Sequence, residues 1–201
     1  MNRAAFLDRD GVINCKPPEG EYVVRWEEMQ FLPGVASAIA QLNQAGFRVI
    51  VISNQRCVAK GLVTAAGVEA MHQRMRNELA AAGAIIDAVY FCPHEKVPPC
   101  SCRKPAPGML FSAARDHQID LASSWMIGDC EIDVEAGRNA GCKTARLLSP
   151  KRSEKSRADV IAPSLLDTIR KILQTERTAA EPRLDGATVD DATVLVPKTS
   201  L

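Results

Sequence analysis

The stretch Ala4-Ala5-Phe6-Leu7-Asp8-Arg9-Asp10-Gly11-Val12-Ile13-Asn14 decides how the rest of the chain is read. An apolar run of β type ends in two aspartates spaced two apart, then a glycine. Side chains at i and i+2 leave a strand in the same direction. Asp8 and Asp10 therefore share one site as the chain turns at Gly11. Two carboxylates that close repel each other, and one pKa rises. A hard cation relieves the repulsion, and Mg²⁺ is usually held by one or two carboxylates plus substrate phosphate oxygens. The stretch predicts a metal-assisted phosphoryl site at the carboxyl end of a strand. Alone, it also fits a polar β-turn, since Asp and Gly both favour turns.

Outward from this stretch the pattern is one of strands alternating with helices. Residues 15–20 hold Pro17-Pro18 and cannot be helical, and 21–31 are expected to form a short hairpin or flap over the site. Pro33-Gly34 opens a helix with Val35, Ile39 and Leu42 at helical spacing, stopped at Gly46. Residues 47–52 read as a strand buried on both faces, ending in polar Ser53-Asn54-Gln55. A helix follows over 64–82, with Val68, Met71, Met75 and Leu79 as its apolar stripe and His72 beside it as core. Then come a strand at 88–91, a helix over 107–117, a strand at 124–128 ending in Asp129, and a helix over 131–140. Strands at 143–148 and 159–162 and a helix over 164–174 complete the pattern. Such alternation gives an α/β fold of three layers, a Rossmann-like arrangement with a central parallel sheet and helices on both faces. Ligands of such sheets bind at the carboxyl ends of the strands, where Asp8, Asp10, Ser53, Asn54 and Asp129 all fall. One domain over 1–175 is expected. The segment 176–201 reads as a flexible tail, in which Val194-Leu195-Val196 could dock.

The 201 residues carry a net charge of +1 with no block of like charges. Neither a nucleic-acid nor a membrane surface is therefore expected. The fractions of 46% hydrophobic and 24% charged residues are ordinary for a globular protein. No apolar run reaches bilayer length, and Met1-Asn2-Arg3 leads straight into a strand rather than a signal peptide. Seven cysteines then argue for reduced thiols or metal ligands in a cytoplasmic, monomeric protein.

Phosphoryl transfer to a carboxylate needs a nucleophile, an acid and base, donors for the phosphate oxygens and a metal. Asp8 supplies the nucleophile, and Asp10 protonates the leaving oxygen and later activates water. Ser53 and Asn54 offer a hydroxyl and an amide to the phosphate. Lys104 offers a point charge, and Arg103 can grip a second anionic group bidentately. Mg²⁺ is expected on Asp8, Asp10 and Asp129, with Asp133 supporting it through water. Singly, Ser53 reads as a turn residue, Lys104 as a surface charge and Gly128-Asp129 as a turn. Their joint order at element boundaries is what points to a site. Cys92, His94, Cys100 and Cys102 lie in one loop before Lys104. Three thiolates and an imidazole make a closed tetrahedral set, suited to structural Zn²⁺ over 92–102. Cys15, Cys57, Cys130 and Cys142 lack such spacing and read as packing residues or idle thiols.

Taken together, these motifs resemble the haloacid dehalogenase superfamily of phosphotransferases. Asp8-x-Asp10-Gly11, Ser53, Lys104 and Gly128-Asp129-x-x-x-Asp133 stand in the order of its four motifs, over roughly residues 3–175. No large insertion follows the first motif, which resembles the capless subgroup, where loops choose the substrate. The metal loop directly before Arg103-Lys104-Pro105 narrows the resemblance to the heptose 1,7-bisphosphate 7-phosphatase family. It implies removal of the 7-phosphate of a small phosphorylated sugar on the way to lipopolysaccharide heptose. The related histidinol-phosphate phosphatases share the motifs and are the alternative. A zinc-stabilised binding module without turnover is the non-enzyme alternative. Two departures bear on substrate. The family usually continues Asn-Gln with Ser-Gly-Ile-Ala-Arg-Gly, whereas this chain has Arg56-Cys57-Val58-Ala59-Lys60-Gly61, and its metal loop is short. A bisphosphate needs a second anion site, expected from Arg103 with Arg56 or Lys60. An amino alcohol would favour Glu19, Glu21 or Glu95.

Overall fold

The structure, a computed structural model, describes residues 1–148 and 155–180. Its strands are β1 (Arg3–Leu7), β2 (Phe47–Asn54), β3 (Ala88–Cys92), β4 (Trp125–Gly128), β5 (Lys143–Leu147) and β6 (Val160–Ala162). The helices are α1 (Val35–Gln44), α2 (Ala65–Ala81), α3 (Gly108–His117), α4 (Glu131–Ala140) and α5 (Leu165–Ala180). All strand pairs are parallel, and the sheet order is β3-β2-β1-β4-β5-β6. The chain winds outward from β1 in one direction, then returns to lay β4 on its other side. Strand order therefore reverses between β1 and β4, and a crevice opens at their carboxyl ends. Asp8 and Asp129 follow those two strands.

Period-two alternation divides the core between the two faces of the sheet. Ala5, Leu7, Val49 and Val51 pack with Ile39 and Leu42 of α1 and Ile169 and Ile172 of α5. Ala4, Phe6, Ile50, Ile52 and Met126 face the other way, toward Leu110 and Ala113 of α3 and Ala136 of α4. Each fully buried large apolar side chain contributes about 1.5–3 kcal/mol, which holds the strand tips in register. No described helix is long and apolar enough to cross a membrane.

Three expectations change. Residues 21–31 form no hairpin; Glu21, Tyr22 and Val23 line the cavity at the strand ends, as a flap would, and the end of the segment pairs with the residues after β1. The Cys15 amide donates to the Gln30 carbonyl, and the Leu32 amide to the Ile13 carbonyl. Only a single 3₁₀ turn, Trp26–Glu28, interrupts the segment. Val23 and Met29 anchor it in a small apolar cluster with Cys57, Val68 and Met71. β2 runs two residues further than expected, since Ser53 and Asn54 still pair with Phe91 and Cys92. α5 continues past Glu176, whose carboxylate receives Arg3 at 3.2 Å, Lys143 at 2.8 Å and the Trp125 indole N–H at 3.1 Å. The rest of the expected tail, 181–201 with Val194-Leu195-Val196, lies outside the described residues.

Candidate active site

The turn after β1 is built around one carbonyl. Arg9 O accepts from the amides of Val12, Ile13 and Asn14, and the Gly11 amide donates to the Asn14 carbonyl at 2.8 Å. Gly11 takes φ +93°, where an L side chain is strained. Two acidic side chains leave this turn into a cavity of about 760 Å³, lined also by Ser53, Asn54, Gln55, Lys104 and Asp133.

Lys104 is 3% exposed. Its ammonium lies 2.8 Å from Asp8 Oδ1 and 2.7 Å from Asp133 Oδ1, and donates to the Ile52 carbonyl at 2.7 Å. The ammonium is thus held between two carboxylates and one carbonyl. Burial opposes the charge, but Asp133 and Asp8 outweigh it and hold Lys104 well above its ordinary range. Asn54 fixes the Lys104 backbone: its Oδ1 accepts from the Lys104 amide and its Nδ2 donates to the Lys104 carbonyl, both at 3.1 Å. The side-chain amide expected to reach for phosphate is thus engaged with the lysine main chain. Asp133, expected behind Mg²⁺, lies within 4.8 Å of Asp129 and Cys130; it also faces Lys104 and accepts from the Cys130 amide at 3.1 Å, at the start of α4. A Cβ at Gly128 would lie 2.2 Å from Asp133 Cβ, so only glycine lets Asp133 pack there.

Asp10 is clasped from three sides. Arg9 donates to both carboxylate oxygens at 3.0–3.2 Å, Asn14 to Oδ1 at 2.9 Å and Gln55 to Oδ2 at 3.1 Å. Burial raises the Asp10 pKa, but Arg9 and the hydrogen bonds from Asn14, Arg9 and Gln55 leave it below the ordinary value. Gln55 also donates to Ser53 Oγ at 2.8 Å, and its own carbonyl accepts from the buried Cys57 thiol. Cys57 is therefore not idle: it orients the Gln55 amide.

Asp129 stands at the β4 end of the crevice. Its Oδ2 accepts from the Lys16 ammonium at 2.6 Å, while Oδ1 is buried without a partner among the described residues. A Cβ at Gly11 would lie 2.7 Å from Asp129 Cγ, so the glycine after Asp10 makes room for this carboxylate. The residues fit a divalent cation on two grounds. One is the orphaned Asp129 oxygen. The other is Asp8, which burial, then Asp133 and Asp10 against Lys104, push up to about 7. A cation among these groups would relieve both.

Cys92, His94, Cys100 and Cys102 come together as expected, within 4.8 Å of one another. The sulfur pairs Cys92–Cys100 and Cys100–Cys102 stand 3.6 and 3.4 Å apart, and His94 Nδ1 lies 3.2 Å from Cys102 Sγ. These separations are too long for disulfides. They approach the edges, roughly 3.8 Å between sulfurs, of a tetrahedron with about 2.3 Å metal–sulfur bonds. Burial and the neighbouring Cys92 and Cys100 push the Cys102 thiol up to about 12, a repulsion that a bound cation removes. The set fits a structural metal. Gly108 holds this loop against α3, since a Cβ there would meet the Ser101 carbonyl at 2.3 Å.

Arg103 departs from expectation. Its guanidinium donates to the His94 carbonyl at 3.3 Å, and it does not line the cavity. Nor do Arg56 and Lys60: Arg56 pairs with Glu95, and Lys60 sits 5.4 Å over the Tyr22 ring. The cavity wall instead carries Lys16, Glu19, Glu21, Tyr22 and Lys96. Lys16 and Lys96 belong to no motif, and the clasp from Arg9 and Asn14 is not expected from spacing alone. Arg9 was legible in principle: lying between two outward aspartates, it must point inward, and a buried guanidinium needs partners.

A family model described as HAD-hydrolase-like matches residues 101–169, which carry Lys104, Asp129 and Asp133. The chain is 45% identical over 146 residues to a D-glycero-beta-D-manno-heptose-1,7-bisphosphate 7-phosphatase of Rhodopseudomonas palustris, covering 69% of this chain and 79% of the relative. A similarly named protein of Thermosynechococcus vestitus is 45% identical over 150 residues, covering 69% and 75%. The crystal structure of D,D-heptose 1,7-bisphosphate phosphatase from Bordetella bronchiseptica, complexed with magnesium and phosphate, superposes with a TM-score of 0.77. It is 33% identical, over 86% of this chain and 99% of that one. With the four motif stretches at the strand ends around one crevice, no inserted cap among the described residues, and these relatives, the chain belongs to the haloacid dehalogenase superfamily and is a phosphatase of the family that includes the heptose 1,7-bisphosphate 7-phosphatases.

Proposed function

We propose that the chain removes the 7-phosphate of D-glycero-D-manno-heptose 1,7-bisphosphate through an aspartyl-phosphate on Asp8. The observation that carries the reading is the Asp8–Lys104–Asp133 ion-pair chain at 2.7–2.8 Å, facing the crevice beside Asp10. Asp8 Oδ attacks phosphorus as the ester P–O bond breaks, and Asp10 protonates the leaving sugar oxygen; its carboxylate, favoured in the free site by Arg9, Asn14 and Gln55, takes up that proton from solvent as the anionic phosphate enters beside it. In the second half Asp10 takes a proton from water as that water attacks phosphorus, releasing phosphate and restoring the Asp8 carboxylate. Lys104 faces the charge that builds on the transferring group, and Ser53 offers its hydroxyl proton. Asp8, Asp129 and the Asp10 main chain would hold Mg²⁺, which neutralises phosphate charge when bound. Cys92, His94, Cys100 and Cys102 would hold Zn²⁺, fixing the loop that delivers Lys104.

A second phosphate needs an uncommitted cation. Arg9, Lys16 and Lys104 are paired with carboxylates, whereas Lys96 lines the cavity with no ion-pair partner among the described residues. Lys96 takes the role that Arg103 was expected to fill. Phosphate release with Mg²⁺ from the heptose bisphosphate and from histidinol phosphate, side by side, tests this. The expected result is a large kcat/KM preference for the bisphosphate, with the 1-phosphate left on the sugar. The Lys96→Ala change should raise KM about tenfold for the bisphosphate alone. Preference for histidinol phosphate would overturn the substrate and turn attention to Glu19 and Glu21 in the cavity wall.

A further inference from the structure

Arg9 is fully buried, with 0% exposure, directly beneath the catalytic turn. A guanidinium only donates, and its buried N–H groups must all find acceptors. Nε and Nη2 go to Asp10. Nη1 lies 3.1 Å from Nε2 of His72, a residue of α2 that is itself 3% exposed. His72 was expected to be plain core, and nothing in the phosphatase reaction as described above uses it. Because arginine cannot accept, Nε2 must be the bare ring nitrogen, and the proton of a neutral imidazole sits on Nδ1. An imidazolium there would lose the hydrogen bond and set two cations against each other.

We infer that His72 is a positioning residue for the phosphatase reaction: its Nε2 accepts from Arg9 Nη1 and so sets the plane in which Arg9 presents two donors to the Asp10 carboxylate. Three features support it. The guanidinium is planar, so fixing one end fixes the other. The His72 ring is held edge-on against Phe91, with centroids 5.5 Å apart, so it cannot swing freely. Burial, then the charge of Arg9 against that of Asp10, pushes the imidazole down to about 3, which keeps it an acceptor. The chain of contacts runs from α2 through the core to the acid–base carboxylate without touching substrate. A bare packing role would need only a ring-shaped apolar group beside Phe91 and Val89, whereas this role needs an acceptor at the Nε2 position.

The inference rests on the aspartyl-phosphate reading, and its test separates the two. His72→Leu and His72→Gln are compared with the wild type for kcat and KM and by circular dichroism. The glutamine carbonyl can stand near the Nε2 position. The expected result is a kcat about tenfold lower in His72→Leu, with KM within about twofold, and recovery to within about threefold in His72→Gln. Equal kcat in the two variants, both folded, would overturn the inference while leaving the phosphatase reading intact. An inactive wild type would instead strike that reading. Should both variants fail to fold, the ¹⁵N shifts of His72 in the wild type decide. A bare Nε2 with Nδ1–H supports the inference, and a protonated Nε2 overturns it.

Discussion

Gly11 stands where two demands meet. Its φ of +93° lets the chain turn after Asp10, and its missing Cβ leaves room for Asp129 at 2.7 Å. The turn was legible in Asp10-Gly11, but the vacancy for a carboxylate from a distant strand was not, because only the fold brings β4 beside β1. Gly11→Ala should cost about 1–3 kcal/mol and weaken Mg²⁺ binding, read by denaturation and by titration calorimetry; unchanged Mg²⁺ affinity would contradict the packing argument. His72 sets a pH dependence of its own. Its pKa falls to about 3 in the fold, mainly by burial, against about 6.5 in the unfolded chain. Between those values the unfolded state binds the extra proton. Stability is therefore full above about pH 6.5 and is lost as pH falls toward 3, with a limiting slope of about 1.4 kcal/mol per pH unit. Urea denaturation at about pH 7 and about pH 5 should show a smaller pH effect in His72→Gln than in the wild type. Equal pH effects would contradict it.

At the scale of elements, the strands and helices were readable wherever apolar residues recurred at a clean period. The α1 stripe of Val35, Ile39 and Leu42 is buried as expected, and Leu165, Ile169 and Ile172 at helical spacing on α5 are buried too. What failed was governed by partners far along the chain. In place of the hairpin, Gln30 and Leu32 pair with Cys15 and Ile13, and α5 runs on because Glu176 meets Arg3, Trp125 and Lys143. The same holds in the site. Asp8, Asp10, Lys104 and Asp129, expected by type and place, lie together at the strand ends. The other ends of Asn54 and Arg103 lie on backbone carbonyls and an amide that no side-chain pattern announces. The 92–102 loop is the element on which Lys104 depends. Stripping its metal with a chelator that spares Mg²⁺, or changing Cys100→Ser, should lower Tm by several degrees and lower kcat more than it raises KM. Elemental analysis should find about one zinc per chain. A protein that keeps its Tm and activity without zinc would show that the loop needs no metal.

Across the whole molecule, the sheet order explains why one crevice gathers the chemistry. Strand order reverses between the parallel strands β1 and β4, so the β1 turn brings Asp8 and Asp10 beside Asp129, while β2 on the other side brings Ser53. The zinc-type loop after β3 returns across β2 to lay Lys104 on the Ile52 carbonyl. Each motif therefore comes from a different strand end, and their order in the sequence carries the site only through this topology. The central claim is that Asp8 is the group that takes the phosphoryl. Enzyme quenched in acid during turnover on the heptose bisphosphate and then reduced with borohydride reports it directly, because an aspartyl-phosphate is reduced to homoserine. Peptide mass spectrometry should find homoserine at position 8, absent without substrate and absent in Asp8→Asn. Homoserine at another aspartate, or none during steady turnover, would contradict the account.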